Sequence, residues 1–218
     1  MIVLMGGTAQ AGEVVYRDDE KHDLNDPGTT YIIRCDGTQH KSGNYFSVPA
    51  NCSSEENPIV IILENVNRTQ ADCSPGGSFI NIWSGNYVIV KLRGENTVVA
   101  GEQSEAGSND GMAVINVPEG STMKLTSDSG DGSTEGKLTA TGGGGKYGGS
   151  AIGREYYYSS GNIIIAGGTI NAKGGHCAAG IGSGREGECK SIHQITGGDI
   201  TAQGGEYAAG IGAGDNHK

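Results

Sequence analysis

The sequence predicts an all-β solenoid, a stack of short parallel strands, and three observations predict it. The unit Gly167–Gly182 (GGTINAKGGHCAAGIG) recurs in full as Gly197–Gly212 (GGDITAQGGEYAAGIG), with no gap between the aligned copies. Each copy holds strand-length apolar segments separated by glycine pairs, and glycine makes up 40 of the 218 residues. Helix formers are scarce and no helical periodicity runs through the chain, which excludes a helical bundle. A supersecondary unit of about 30 residues cannot bury its own apolar face, whereas stacked copies can, each strand pairing with its counterpart one turn away at about 4.8 Å.

Within each repeat the strands are Ile163–Ile165, Thr169–Ala172 and Ala178–Ile181, with glycines at the corners. The inward positions are then Ile170/Ile200, Ala172/Ala202, Ile181/Ile211 and Ile165/Ile195. A looser copy runs from Lys137 to Gly153. Upstream, Ile59–Leu63, Phe79–Trp83, Tyr87–Leu92, Met112–Val117 and Met123–Thr126 read as strands of earlier, longer turns, with Trp83 expected in the core. Glu64-Asn65-Val66 and Glu95-Asn96-Thr97 recur at nearly the repeat spacing, so Asn65 and Asn96 are expected to stack in an amide ladder. Residues 1–55 show no such pattern and are expected to form an N-terminal cap over the open edge of a solenoid spanning 56–218, clearest at 137–218. The chain stops in mid-repeat, so further repeats of its own chain are expected beyond Lys218.

A formal net charge of −10 repels phosphate and argues against nucleic acid as a partner. No stretch approaches the roughly 18 apolar residues of a membrane helix, so membrane insertion is not expected. Of the five cysteines, Cys35–Cys52 and Cys177–Cys189 are near enough in sequence to pair, and buried free thiols are an equal reading. Ala9-Gln10-Ala11 has the form of a signal cleavage site, read either as the stub of a secretion signal or as part of a first strand. Asn51-Cys52-Ser53 and Asn67-Arg68-Thr69 match the glycosylation acceptor pattern, which is frequent by chance.

The Gly-Gly-x-Ile-x-Ala-x-Gly-Gly-x-x-Ala-Ala-Gly-Ile-Gly units resemble the right-handed parallel β-helix repeats, pectate-lyase-like in superhelix, of large secreted bacterial surface proteins. The resemblance is close over 137–218 and loose over 59–136. It implies a right-handed parallel β-helix at the cell surface or secreted, adhesin-like and contacting polysaccharide or a surface glycan. The fold also hosts lyases and hydrolases, so the resemblance specifies architecture more than activity.

A lyase of this fold would use an arginine base beside calcium-binding acids, and Arg93, Arg154 and Arg185 are the candidates. Asp128, Asp131 and Glu135 have a calcium-like spacing of oxygen ligands, although the loop lacks the full twelve-residue pattern and a polar turn is the preferred reading. The acidic run Asp18, Asp19, Glu20, Asp23 and Asp26 is read as a solvated loop ahead of a cation site, and calcium is the one cofactor considered. A hydrolase needs paired acids on adjacent turns, and no Asp-Asp pair occurs after residue 56. For sugar binding, the aromatic platform is Tyr147, the insertion Tyr156-Tyr157-Tyr158 beside Arg154, and Tyr207 on the next loops. A non-catalytic, glycan-binding solenoid is therefore expected ahead of an enzyme, with a bare structural stalk as the third reading.

Overall fold

The structure, a computed structural model, describes residues 12–41, 45–69, 77–101, 111–188 and 193–215. β1 (Glu13–Arg17) and β2 (His22–Asp23) make a short first turn. Three-stranded turns follow: β3 (Thr30–Arg34), β4 (His40–Lys41) and β5 (Phe46–Val48); then β6 (Ile59–Glu64), β7 (Asn67–Thr69) and β8 (Ile80–Ile82). The next two are β9 (Tyr87–Arg93), β10 (Glu95–Val99) and β11 (Ile115–Asn116), then β12 (Thr122–Ser127), β13 (Lys137–Thr141) and β14 (Ile152–Gly153). β15 (Asn162–Ile165), β16 (Thr169–Lys173) and β17 (Ile181–Gly182) precede β18 (His193–Ile195), β19 (Asp199–Gln203) and β20 (Ile211–Gly212). The first strands of all turns form one sheet, β1-β3-β6-β9-β12-β15-β18; the second strands form β4-β7-β10-β13-β16-β19; the third form β2-β5-β8-β11-β14-β17-β20. The turns stack in parallel register throughout, as a right-handed parallel β-helix.

Every expected inward pair is in register: Ile165 with Ile195, Ile170 with Ile200, Ala172 with Ala202 and Ile181 with Ile211. In the first sheet the inward column runs Val14, Tyr31, Ile61, Val90, Leu125, Ile165, Ile195. Alternation along β9 buries Val88, Val90 and Leu92 and leaves Tyr87, Ile89, Lys91 and Arg93 half-buried on the outer face, as a period of two demands. The N-terminal turns enclose the bulky Phe46, Phe79, Ile61 and Leu63, the C-terminal turns mainly Ile with Ala140, Ala172, Ala178 and Ala179. Ile195 and Ile211 are exposed at the last described turn, where no further strand lies over them.

Three expectations change. The segment expected to be a cap is, from Glu13 onward, solenoid: β1 and β3 extend the first sheet below β6. Glu13 already pairs with Thr30, because the first turn has no second-sheet strand, and so short a step leaves no trace of the repeat period in the sequence. Asn65 and Asn96 do not face each other; Asn67 aligns with Thr97, which sets Asn96 beside Val66. Each amide instead bonds the neighbouring turn's backbone: Asn96 Oδ1 accepts from Val66 N at 2.9 Å, and Asn65 Oδ1 from Glu95 N at 3.2 Å. Cys35 and Cys52 are free thiols, since one follows β3 and the other follows β5, at different corners of the coil. Cys73 and Cys189, and with them the second pairing, lie outside the described residues, as does Ala9-Gln10-Ala11.

Candidate functional site

The third sheet is built of the shortest strands, two or three residues each. On it Ser47, Asn81 and Asn116 align on successive turns. All three are buried, so their polar groups need partners. Asn116 Nδ2 donates to Asn81 Oδ1 at 2.7 Å, and Arg154 Nη1 donates to Asn116 Oδ1 at 2.8 Å. Trp83 Nε1 donates to Ser47 Oγ at 3.1 Å. The next residue in the column is Gly153, followed by Gly182 and Gly212. The polar ladder therefore ends at Arg154, which folds back over it.

Beside this ladder runs a groove of about 440 Å³, lined in part by Tyr45, Asn81, Trp83, Asn116, Arg154 and Tyr158. These come from four consecutive turns, so the groove runs along the solenoid axis for about three strand spacings, or ~14 Å. Trp83 is 53% exposed and Tyr158 55%. The Arg154 guanidinium sits 4.7 Å from the Tyr158 ring centre and 3.7 Å from the Glu155 carboxylate, with its side chain only 13% exposed. Pinned between Asn116, Glu155 and a ring, Arg154 is held in place rather than free to swing.

Trp83 was expected in the core and is not. Phe79, Ile80 and Ile82 are all buried, so the apolar run Phe79–Trp83 fits either phase of a two-residue alternation. Ile80 and Ile82 take the inward phase and Trp83 follows them outward. Of the groove residues, Trp83, Tyr45, Asn81 and Asn116 are additions to the sequence-predicted set, and the exposed tryptophan could have been found by choosing the Ile80/Ile82 phase.

The tyrosine insertion divides. Tyr158 faces the groove. Tyr156 stacks on Tyr147 at 4.3 Å between ring centres, and its hydroxyl donates to Glu186 Oε2 at 3.3 Å. Burial first, then the Glu186 carboxylate, holds the Tyr156 phenol above its usual range. Arg185 lies 5.0 Å over the other ring of that stack. Tyr157 is 66% exposed and sits at φ +71°, a conformation non-glycine residues seldom adopt. Tyr207 stands two turns beyond Tyr147 at the same corner, 75% exposed. Tyr156→Ser is expected to lower unfolding stability by about 1–2 kcal/mol through loss of the stacked pair, and Tyr157→Ser by less than about 0.5 kcal/mol, in urea titrations.

The acids of the calcium-like loop are not gathered. Asp128 pairs with Arg93 at 2.7 Å and with Lys91 at 3.8 Å. Asp131 pairs with Lys124 at 2.6 Å and accepts from Thr126 Oγ1 at 2.9 Å, and these two contacts hold its carboxyl below the usual range. Glu135 takes a hydrogen bond from Ser129 Oγ. Among the arginines considered as a base, Arg93 is also tied to Glu64 at 3.0 Å on the outer face of the first sheet, and Arg185 lies 3.9 Å from Glu186.

Comparison with known proteins adds one finding. Residues 163–185 and 194–215 match a family model described as a beta helix repeat. No curated protein and no solved structure matches the chain. The two matched segments cover β15–β17 and most of the β18–β20 turn, consecutive layers of the same three sheets. The chain is thus a parallel β-helix whose C-terminal turns match the beta helix repeat.

Proposed function

We propose that this solenoid binds polysaccharide without cleaving it, through the groove on the third sheet, and that it does so outside the cell or at its surface. One observation carries the proposal: two half-exposed aromatic rings, Trp83 and Tyr158, flank a floor of fixed polar groups, Asn81, Asn116 and Arg154, in one groove. An aromatic face covers the C–H face of a sugar ring, while amide and guanidinium groups bond its hydroxyls. Exposed aromatics grouped beside polar groups are a common mark of a binding groove. The ~14 Å run along the axis suits a short stretch of a glycan chain rather than one monosaccharide.

The groove also speaks for binding over cleavage. Where paired carboxylates on adjacent turns would serve a hydrolase, this chain places the amides of Asn81 and Asn116. Among the described residues lining the groove, Glu155 is the one acid, and it lies beside Arg154.

The test is affinity electrophoresis through gels containing neutral or acidic polysaccharides. At least one gel is expected to retard the chain with a dissociation constant of about 0.1–1 mM, equivalent to ~4–5.5 kcal/mol. Trp83→Ala and Tyr158→Ala together are expected to remove the retardation while leaving the unfolding midpoint within a few degrees. Retardation that survives the double variant overturns the assignment of the groove. Release of reducing or unsaturated ends that Arg154→Ala abolishes makes the chain an enzyme instead.

A further inference from the structure

Among the described residues, the inward column of the second sheet changes from apolar to charged side chains toward the N-terminus. The inward column of the second sheet runs Ala202, Ala172, Ala140 and Val98, and then continues as Arg68 and His40. The first turn has no strand there; the chain passes from β1 to β2 through Asp18, which is fully buried, as is Arg68. His40 Nδ1 meets Asp18 Oδ1, and Asp18 Oδ2 accepts from Asn67 N at 3.2 Å. Arg68 Nη1 donates to the Asp18 carbonyl oxygen. Cys35, just after β3, closes the group: ligand atoms of Asp18, Cys35 and His40 all lie within 4.8 Å of one another. Asp36 Oδ1 is 3.4 Å from His40 Nε2 on the solvent side.

We infer that Asp18, Cys35 and His40 form a binding site for one divalent transition-metal ion, with zinc the best match to the donors. A thiolate, an imidazole and a carboxylate are the soft-to-borderline set that selects zinc over calcium or magnesium, whose preferred ligands are all oxygen. Three protein ligands leave a fourth position for Asp36 or water, and the exposed loop around Asp36 gives the ion a path in. Charge supports the same reading. Zinc neutralises the Asp18 carboxylate and the Cys35 thiolate, while Arg68 and Asp36 offset each other. Binding releases the Cys35 Sγ proton, now donated to Thr38 O, to solvent, while neutral His40 keeps one ring proton on the nitrogen that does not ligate the ion. The ion would tie the first turn to the turn stacked on it.

The test uses the full chain stripped with EDTA and titrated with cobalt(II) as a spectroscopic stand-in. One equivalent is expected to produce a near-ultraviolet thiolate-to-metal band with visible d–d bands, both erased by one equivalent of zinc. Cys35→Ser is expected to abolish the near-ultraviolet band, Cys52→Ser to keep it, and His40→Ala to weaken zinc binding by about 100-fold or more. A readout free of variants is alkylation by iodoacetamide, mapped by mass: zinc is expected to slow modification of Cys35 at least about tenfold relative to Cys52. Absence of a band at one equivalent, a band that survives Cys35→Ser, or equal alkylation of Cys35 with and without zinc overturns the site. If Cys35→Ser does not fold, the alkylation result decides. None of these readouts depends on the polysaccharide groove.

Discussion

Replacing Ile170 by Asp is expected to melt the C-terminal turns while the turns around Ile61 and Val90 stay folded. Ile170 is fully buried and stacked between Leu138 and Ile200. A carboxylate there has no charge partner in its column, and the loss is expected to reach about 4 kcal/mol or more. In a solenoid each turn touches only its neighbours, so the penalty falls on the layers that stack on Ile170. Those layers are lined largely with Ile and Ala, whereas the N-terminal layers bury Tyr31, Phe46, Phe79, Ile61 and Leu63 and keep their own support. Hydrogen exchange read by mass spectrometry is the measurement. Amides of β15 to β20 should lose protection, and those of β3, β6 and β9 should keep it. A single loss of protection along the whole chain would show that the turns form one cooperative unit and that the nearest-neighbour account fails.

The same contrast explains which parts of the fold were legible in the sequence. From Thr169 onward the turns are of equal length: Thr169 pairs with Asp199 and Ile181 with Ile211, the same step as the repeat itself. Equal turns convert stacking into sequence repetition, so the inward Ile and Ala columns could be read directly. Farther back the turns differ. Val60 pairs with Ile89, whereas Lys124 takes a much longer step to Ile164, the extra length lying in the loop of Asp128, Asp131 and Glu135 and in the tyrosine insertion. Unequal loops erase the period but leave the sheets intact. They also shift side-chain alignments by single residues, which is why Asn65 and Asn96 miss each other while the strands beside them stay in register.

The groove was legible by halves. Tyr158 and Arg154 stood out because an insertion between repeats has no packing reason to be aromatic. Trp83, Asn81 and Asn116 did not, because the first looked like core and the other two are ordinary strand residues until stacking brings their amides within 2.7 Å. Sites on a solenoid are assembled across turns, from positions a whole turn apart in the chain, so a sequence motif cannot display them unless the turn lengths are already known. In the cluster at the N-terminal end, Asp18 stood out as part of an acidic run, but its meeting with Cys35 and His40 was hidden for the same reason. Asp18, Cys35 and His40 belong to the two turns joined by the short Glu13-to-Thr30 step, outside the period that organises the rest.

The second large effect concerns the glycine that recurs on the third sheet. Gly153, Gly182 and Gly212 have φ of +136°, +132° and +135°, so the backbone alone disfavours any other residue at all three. Stacking adds a separate constraint. A Cβ on Gly182 would lie 2.0 Å from the Gly212 carbonyl oxygen, which belongs to the next strand of the ladder and cannot rotate away. A Cβ on Gly212 meets nothing nearer than Ala209 Cβ, at 3.5 Å. Gly212→Ala therefore carries the conformational strain alone, about 1–3 kcal/mol. Gly182→Ala carries that strain and forces two turns apart, for a total expected at about 4 kcal/mol or more. The comparison is made by urea unfolding of the two variants, with hydrogen exchange to locate the damage. If stacking matters, Gly182→Ala loosens β17 and β20 together, and its cost exceeds that of Gly212→Ala by about 2 kcal/mol. Equal costs would mean that glycine recurs here only for its backbone freedom, and that the spacing between turns yields to a methyl group.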